Sequence, residues 1–224
     1  MLKTIPWDKN YSCLEIGCGN GSFISFITSY GFKVMGIDTS KQSVSVAKKK
    51  NPTSTILNKS LFEINDQYDI IFCLEVLEHI ENDCIAIEKI SQILKNRGFF
   101  ICSVPAHPNL YREFTDKYYG HFQRYEKIKF IKLLKSNNLN IISFWNYGLK
   151  FGSIFANLIS SNRDGKNIEF GAIGDDFSEI EYPWYWRKII APIASRFFFL
   201  FYLIDLLFLK FDLGNSYLVL CQKE

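Results

Sequence analysis

Three acidic and imidazole side chains stand close together in Glu75-Val76-Leu77-Glu78-His79. A helical turn there would put Glu75, Glu78 and His79 on one face. Such a set has three chemical uses. It can hold a turn by hydrogen bonds, move a proton with His79 as the base, or bind a divalent ion through oxygen and imidazole ligands. A further ligand would have to come from His107 or His121, because the chain has three histidines. His121 lies in Gly120-His121-Phe122-Gln123-Arg124-Tyr125, while His107 sits between Pro105 and Pro108 and reads as a loop residue. His79 and His121 are therefore the candidate catalytic residues, and no metal ion is assigned.

A second constellation is Gly17-Cys18-Gly19-Asn20-Gly21, entered from the apolar run Cys13-Leu14-Glu15-Ile16. Glycines at alternate positions let the chain turn sharply and let a ligand approach the backbone. The helix that follows offers its first N–H groups to that ligand. A dinucleotide loop wants a glycine where this chain has Ser22. Glu15, just before the loop, would repel a pyrophosphate and suits a ligand that carries positive charge. Asp38, in Gly36-Ile37-Asp38, can accept hydrogen bonds from a ribose.

Elements able to position these groups are legible in the first half. Short apolar runs over residues 13–16, 33–37, 55–57, 68–74 and 99–104 read as strands. Residues 22–30, 41–50 and 83–95 read as helices, with Asp83 as an N-cap and Asn51-Pro52 as a stop signal. The continuous run Tyr68-Asp69-Ile70-Ile71-Phe72-Cys73-Leu74 fits a central parallel strand buried on both faces. Alternating strands and helices imply a parallel sheet covered on both sides. Residues 125–136 read as a helix, and residues 139–145 and 217–221 as two last strands.

Four segments in order resemble the class I methyltransferases. They are Leu14-Glu15-Ile16-Gly17-Cys18-Gly19-Asn20-Gly21, then Gly36-Ile37-Asp38-Thr39-Ser40, then the run from Tyr68 through His79 to Ile80, and Leu94-Lys95-Asn96-Arg97-Gly98-Phe99-Phe100. The resemblance implies a doubly wound, mostly parallel α/β sheet of seven strands, and S-adenosylmethionine as cofactor. It also implies a cofactor site made of Glu15, Gly17, Cys18, Gly19, Gly21, Asp38, Thr39, Ser60, Leu61, Leu74 and Glu75. Ser60 stands where relatives often carry an acidic residue. The segment around His121 resembles the G-H-x-R-R-Y stretch of a bacterial subgroup, with Gln123 in place of the first arginine. Arg124 and Tyr125 then either contact the acceptor or staple the loop onto the sheet. The string around His79 is also similar to the metal motif of small-RNA 2′-O-methyltransferases and some ubiquinone-pathway O-methyltransferases.

The chain divides into a core over residues 1–145, an aromatic-rich helical insertion over 146–214, and a last core strand over 215–224. The insertion holds Trp184, Trp186, Arg187 and Lys188, followed by a very apolar stretch around Phe197-Phe198-Phe199-Leu200-Phe201. Arg196 and Asp205 interrupt that stretch and argue against a membrane-spanning helix. It would pack on the domain, on a second copy in a homodimer, or on a membrane surface through residues 184–209.

Composition narrows the function. Residues 1–110 carry as many acidic as basic side chains, and the whole chain is only +3, which does not suit a dedicated DNA binder. The six cysteines form no C-x-x-C pair and fit small buried hydrophobes in a reducing compartment. The first residues lack the apolar stretch of a secretory signal, so a cytoplasmic protein is expected, reaching the inner face of a membrane if the insertion binds lipid. Methylation of an oxygen on a small-molecule or glycan- or lipid-linked acceptor is the expected activity. The rivals are a metal-assisted RNA 2′-O-methyltransferase and a cofactor-binding module without turnover.

Overall fold

Side chains alternate across each central strand, and in this chain both alternating sets are apolar. In the computed structural model, β1 (Ser12–Ile16), β4 (Tyr68–Leu74) and β5 (Leu94–Pro105) form the middle of one sheet. Cys13, Ile70, Phe72 and Ile101 point to one face. Leu14, Ile71, Cys73, Phe100 and Cys102 point to the other. A strand that buries both faces needs a layer of helices on each. On the first face lie α1 (Ser22–Ser29), through Ile24 and Ile27, and α2 (Lys41–Lys50), through Val44 and Ala47. On the second lie α3 (Asp83–Ile93), through Ala86, Ile87 and Ile90, and α4 (Lys127–Ser136), through Phe130 and Leu134.

With β2 (Lys33–Asp38), β3 (Thr55–Asn58), β6 (Leu139–Leu149) and β7 (Gly214–Lys223), the sheet has seven strands in the order β3-β2-β1-β4-β5-β7-β6. The first five run parallel, and β7 is antiparallel to both β5 and β6. The expected fold class is thus the observed one. The strand order reverses direction between β1 and β4, and ligands of such sheets bind in the crevice beyond the carboxyl ends at that point.

The structure describes Ile5 and residues 8–110, 116–117, 120–149, 211–212 and 214–224. The apolar stretch expected to meet lipid or a second copy, residues 184–209, lies outside them. Among the described residues no helix is long and apolar enough to cross a membrane. Cys13, Cys18, Cys73, Cys102 and Cys221 are buried and Cys84 is exposed, all as free thiols.

Two local expectations need correction. Asn82, not Asp83, caps α3, its side chain accepting from the Ile85 amide at 3.2 Å. Helix α3 also stops at Ile93, and β5 begins at once with Leu94, which pairs with Tyr68. The apolar series Ile90, Ile93, Leu94 keeps helical spacing across the boundary, because Leu94 is buried as the strand's first residue.

Candidate active site

The loop after β1 turns through three glycines in the left-handed region, Gly17, Gly19 and Gly21, at φ of 68°, 50° and 73°. At Gly17 the need is also one of space, since a Cβ would lie 2.4 Å from Cγ2 of Val76. Gly21 caps α1, and a Cβ there would meet Asn51 and Ala47 of the α2 end. The buried amide of Asn51 knits this corner together. It donates to the carbonyls of Gly21 at 3.0 Å and Ala47 at 3.1 Å, and accepts from Ser25 Oγ at 2.7 Å. The sequence marks Asn51 only as a helix stop, so this role was missed.

Asp38 closes the loop from the next strand. One carboxylate oxygen accepts from the Gly19 amide and the other from the Ser40 amide, both at 2.8 Å. Beyond it a cavity of about 360 Å³ opens at the carboxyl ends of the strands. Of the expected cofactor residues, Gly17, Asp38, Thr39, Ser60, Leu61 and Glu75 line it, joined by Lys59, Phe62 and His79. Ser60 caps the short turn Leu61–Glu63, its own amide donating to Glu63 at 2.7 Å, so this wall is rigidly built. Glu15, Cys18, Gly19, Gly21 and Leu74 are not among its lining residues. Cys18 packs its sulfur towards Gly36. Glu15 is buried with Oε2 unpartnered. Burial, and then the Asp38 charge, push its carboxyl up to about 8. A buried acid with a free oxygen beside a ligand loop suits a cationic group in that loop.

The opposite wall carries the imidazoles. Glu75 follows β4 with φ of 53°, its amide held by Ser103 at 3.1 Å and one carboxylate oxygen receiving the Tyr147 hydroxyl at 3.1 Å. The turn Leu77–His79 then separates its polar side chains. Glu78 is fully buried with neither oxygen hydrogen-bonded, and burial followed by the Glu75 charge push it up to about 8. His79 faces the cavity. Desolvation, and then the His121 ring, lower its pKa.

His121 reaches this wall because its segment is stitched to the turn. The Phe122 amide donates to the Glu78 carbonyl at 2.8 Å, and Nδ1 of His79 meets the Gly120 carbonyl at 3.2 Å. The two histidine rings pack edge to face at 4.8 Å. Ligand atoms of Glu78, His79 and His121 all lie within 4.8 Å of one another. Glu75 is not in that group, and His107 lies elsewhere, 3.6 Å from Asp212. Of the two substrate candidates, Arg124 binds the buried Asp116 at 2.9 Å. Tyr125 is buried, its amide donating to the Pro105 carbonyl and its ring on Phe130. The staple is the reading its burial supports.

A glycine cradle, an acid at the end of β2 and a wall with two imidazoles and two carboxyls thus stand together at the switch point. Residues 3–144 match the model of the methyltransferase domain. The chain belongs to that family. The site fits the S-adenosylmethionine that such methyltransferases use: Gly17 and the Asp38 carboxylate line the cavity, nothing stands beside Gly19 on the side a Cβ would occupy, and the buried Glu15 keeps an oxygen without a hydrogen-bond partner. Among curated proteins, the chain is similar to the ubiquinone biosynthesis O-methyltransferase of Rickettsia typhi, 35% identical over 96 residues, covering 40% of this chain and 39% of that protein. The Pelagibacter ubique protein of the same name is 32% identical over 96 residues, 40% of each chain. The match thus spans about two fifths of these relatives' length. Among solved structures, the YcgJ protein of Bacillus subtilis aligns with a TM-score of 0.58 at 21% identity, over 70% of this chain and 74% of that one. The N-methyltransferase NodS of Bradyrhizobium japonicum aligns at 0.52 and 14% identity, over 95% and 85%. At these identities the likeness is one of fold.

Proposed function

We propose that this methyltransferase methylates an oxygen of a small-molecule acceptor, one free or linked to a glycan or lipid. The observation that carries the reading is the pair of imidazoles, with His79 on the cavity wall and the His121 ring 4.8 Å from it. When bound, S-adenosylmethionine supplies a methyl group already activated on its sulfonium. The protein's work is then to hold the acceptor in line and to take its proton. A hydroxyl needs that proton removed as its oxygen bonds to the methyl carbon and the carbon–sulfur bond breaks. A neutral imidazole can take it, and the lowered pKa of His79 keeps its ring neutral near pH 7. The O-methyltransferase relatives support the choice of oxygen.

The test is release of S-adenosylhomocysteine with a panel of phenolic, sugar and lipid-linked hydroxyl acceptors. His79→Ala or His121→Ala should lower turnover by roughly a hundredfold or more while cofactor affinity holds. Full activity in both variants would remove the histidine base.

A second reading has one observation in its favour. Glu78 is buried with no hydrogen-bond partner on either oxygen, its Oε1 is 4.0 Å from Nε2 of His79, and its ligand atom lies within 4.8 Å of those of His79 and His121. A divalent ion there would satisfy the carboxylate and polarise an acceptor oxygen. An RNA acceptor for such a site is disfavoured by the balanced charge of residues 1–110.

A further inference from the structure

Among the described residues two acids line the cavity, Asp38 at the end of β2 and Glu75 just after β4. Strand β1 lies between those two strands, so at the usual strand spacing their ends stand roughly 10 Å apart. Asp38 already holds the Gly19 and Ser40 amides. Lys59, the lysine of the lining, follows β3 at the far end. Glu78, the other carboxyl of the turn after β4, is fully buried. Glu75 is therefore the acid of the β4 end, and it is exposed there. An exposed glutamate ordinarily samples many rotamers, and its left-handed φ of 53° is strained for any residue with a Cβ. Such a conformation persists only where its surroundings over-determine it. Here the Glu75 amide donates to both the carbonyl and Oγ of Ser103, each at 3.1 Å. The next residue, Val76, packs against Gly17 of the loop. The side chain is held from the sheet edge: the Tyr147 hydroxyl, on β6 and 72 residues along the chain, donates to Oε1 at 3.1 Å. The Ser103 and Ser216 side chains back that hydroxyl.

S-adenosylmethionine carries two positive groups, an ammonium and a sulfonium. Its product, S-adenosylhomocysteine, keeps the ammonium, but its sulfur is neutral. With the ribose at Asp38 on β2 and the adenine by the turn after β3, the sulfur would fall on the side of β1 and β4. Glu15, on β1, suits the ammonium that both ligands share. We infer that Glu75, held by Tyr147, is the counter-charge of the sulfonium, through which the site tells the charged cofactor from its neutral-sulfur product. Tyr147 is a positioning residue that acts through Glu75. Loss of the sulfonium charge on methyl transfer then weakens the hold on the product and favours its exchange for fresh cofactor. The inference rests on the cofactor alone, not on the acceptor or on the histidine base.

Binding of the two ligands to the full chain, without acceptor, tests it by titration calorimetry. The quantity read is the ratio of their two dissociation constants. Glu75→Gln keeps the shape and removes the charge. It should weaken S-adenosylmethionine relative to S-adenosylhomocysteine by roughly fivefold, the upper end for an ion pair open to solvent. Tyr147→Phe should move the ratio in the same direction by a smaller factor, and added salt should shrink it in the natural protein. Glu15→Gln should move both constants together and leave the ratio in place. A purely structural role for Glu75 or Tyr147 would also move both constants together. An unmoved ratio in a folded Glu75→Gln overturns the inference whatever becomes of Tyr147→Phe, and so does a ratio that moves as far in Glu15→Gln. A ratio that moves in Glu75→Gln and stays level in a folded Tyr147→Phe removes Tyr147 from its positioning role.

Discussion

The Asp38 carboxylate accepts a hydrogen bond from the Gly19 amide at 2.8 Å, so the end of the second strand holds the loop that follows the first. One side chain therefore shapes the glycine loop and stands on the cavity wall.

Replacing Asp38 with alanine should weaken S-adenosylmethionine binding by about 1.5–3 kcal/mol, the range for hydrogen bonds to a charged group. Asp38→Asn should lose less, because an amide oxygen can still accept from Gly19. Titration calorimetry checks both, against a micromolar affinity, on the order of −8 kcal/mol, for the natural protein. Unchanged affinity in a folded Asp38→Ala would move the ribose elsewhere.

Gly17 separates sterics from backbone strain. Gly17→Ala puts a methyl 2.4 Å from Val76 Cγ2 at a residue with φ of 68°. The left-handed conformation costs about 1–2 kcal/mol, and overpacking adds roughly 1–3 kcal/mol. Val76→Ala in the same chain should recover the second part only. A double-mutant cycle from urea melts gives the coupling, and additive effects would show that the two side chains do not meet.

The sheet was largely legible because its strands are buried on both faces and so read as unbroken apolar runs. Tyr68–Leu74 is observed as expected. Less was legible where tertiary closure decides. Nothing local distinguishes Asp116 from any loop acid, since its partners Arg124 and His121 reach it only through a turn of the chain. Glu78 has the same disguise. A shared helical face was expected for Glu75, Glu78 and His79, but the positive φ of Glu75 breaks the period and sends Glu78 inward while His79 faces the cavity. The β6 strand continues to Leu149 because its last residues pair with β7 across a long sequence separation, which period-two patterning cannot see.

Glu15 gives stability a pH dependence of defined sign. Its folded pKa, about 8, lies above the ordinary 4.5. Between those values the folded chain binds a proton that the unfolded chain has lost. The contribution is fully present below the unfolded value and disappears as pH rises through about 8. One such proton gives a slope of at most about 1.4 kcal/mol per pH unit. Glu15→Gln should remove one group's share of the slope and leave that of Glu78, which has the same sign. Urea unfolding across the window reads it. Cofactor affinity should rise with pH over the same range in the natural protein, and stay flat in Glu15→Gln.

The aromatic stretch over residues 184–209 is tested through its charges. Trp184 and Trp186 beside Arg187 and Lys188 have the composition of an interfacial anchor. Co-sedimentation with anionic vesicles should exceed that with neutral ones by about 1 kcal/mol per basic residue and fall with salt. Arg187→Ala with Lys188→Ala should erase the difference. No sedimentation with either vesicle would end the lipid reading and leave the cofactor site as it is.

Chelation separates the two uses of the imidazole wall. A metal ligand must be deprotonated, and burial together with Glu75 pushes Glu78 up to about 8. Binding an ion at Glu78 would displace that proton, whereas a neutral imidazole is already a working base. Turnover should therefore survive dialysis against EDTA nearly unchanged, and Glu78→Gln should keep it within a few-fold. His79→Ala or His121→Ala should still lose on the order of a hundredfold. The opposite pattern would be activity lost to EDTA, restored by one added divalent ion, and abolished in Glu78→Gln. That result would make Glu78, His79 and His121, whose ligand atoms already lie within 4.8 Å of one another, the residues that would hold a divalent ion.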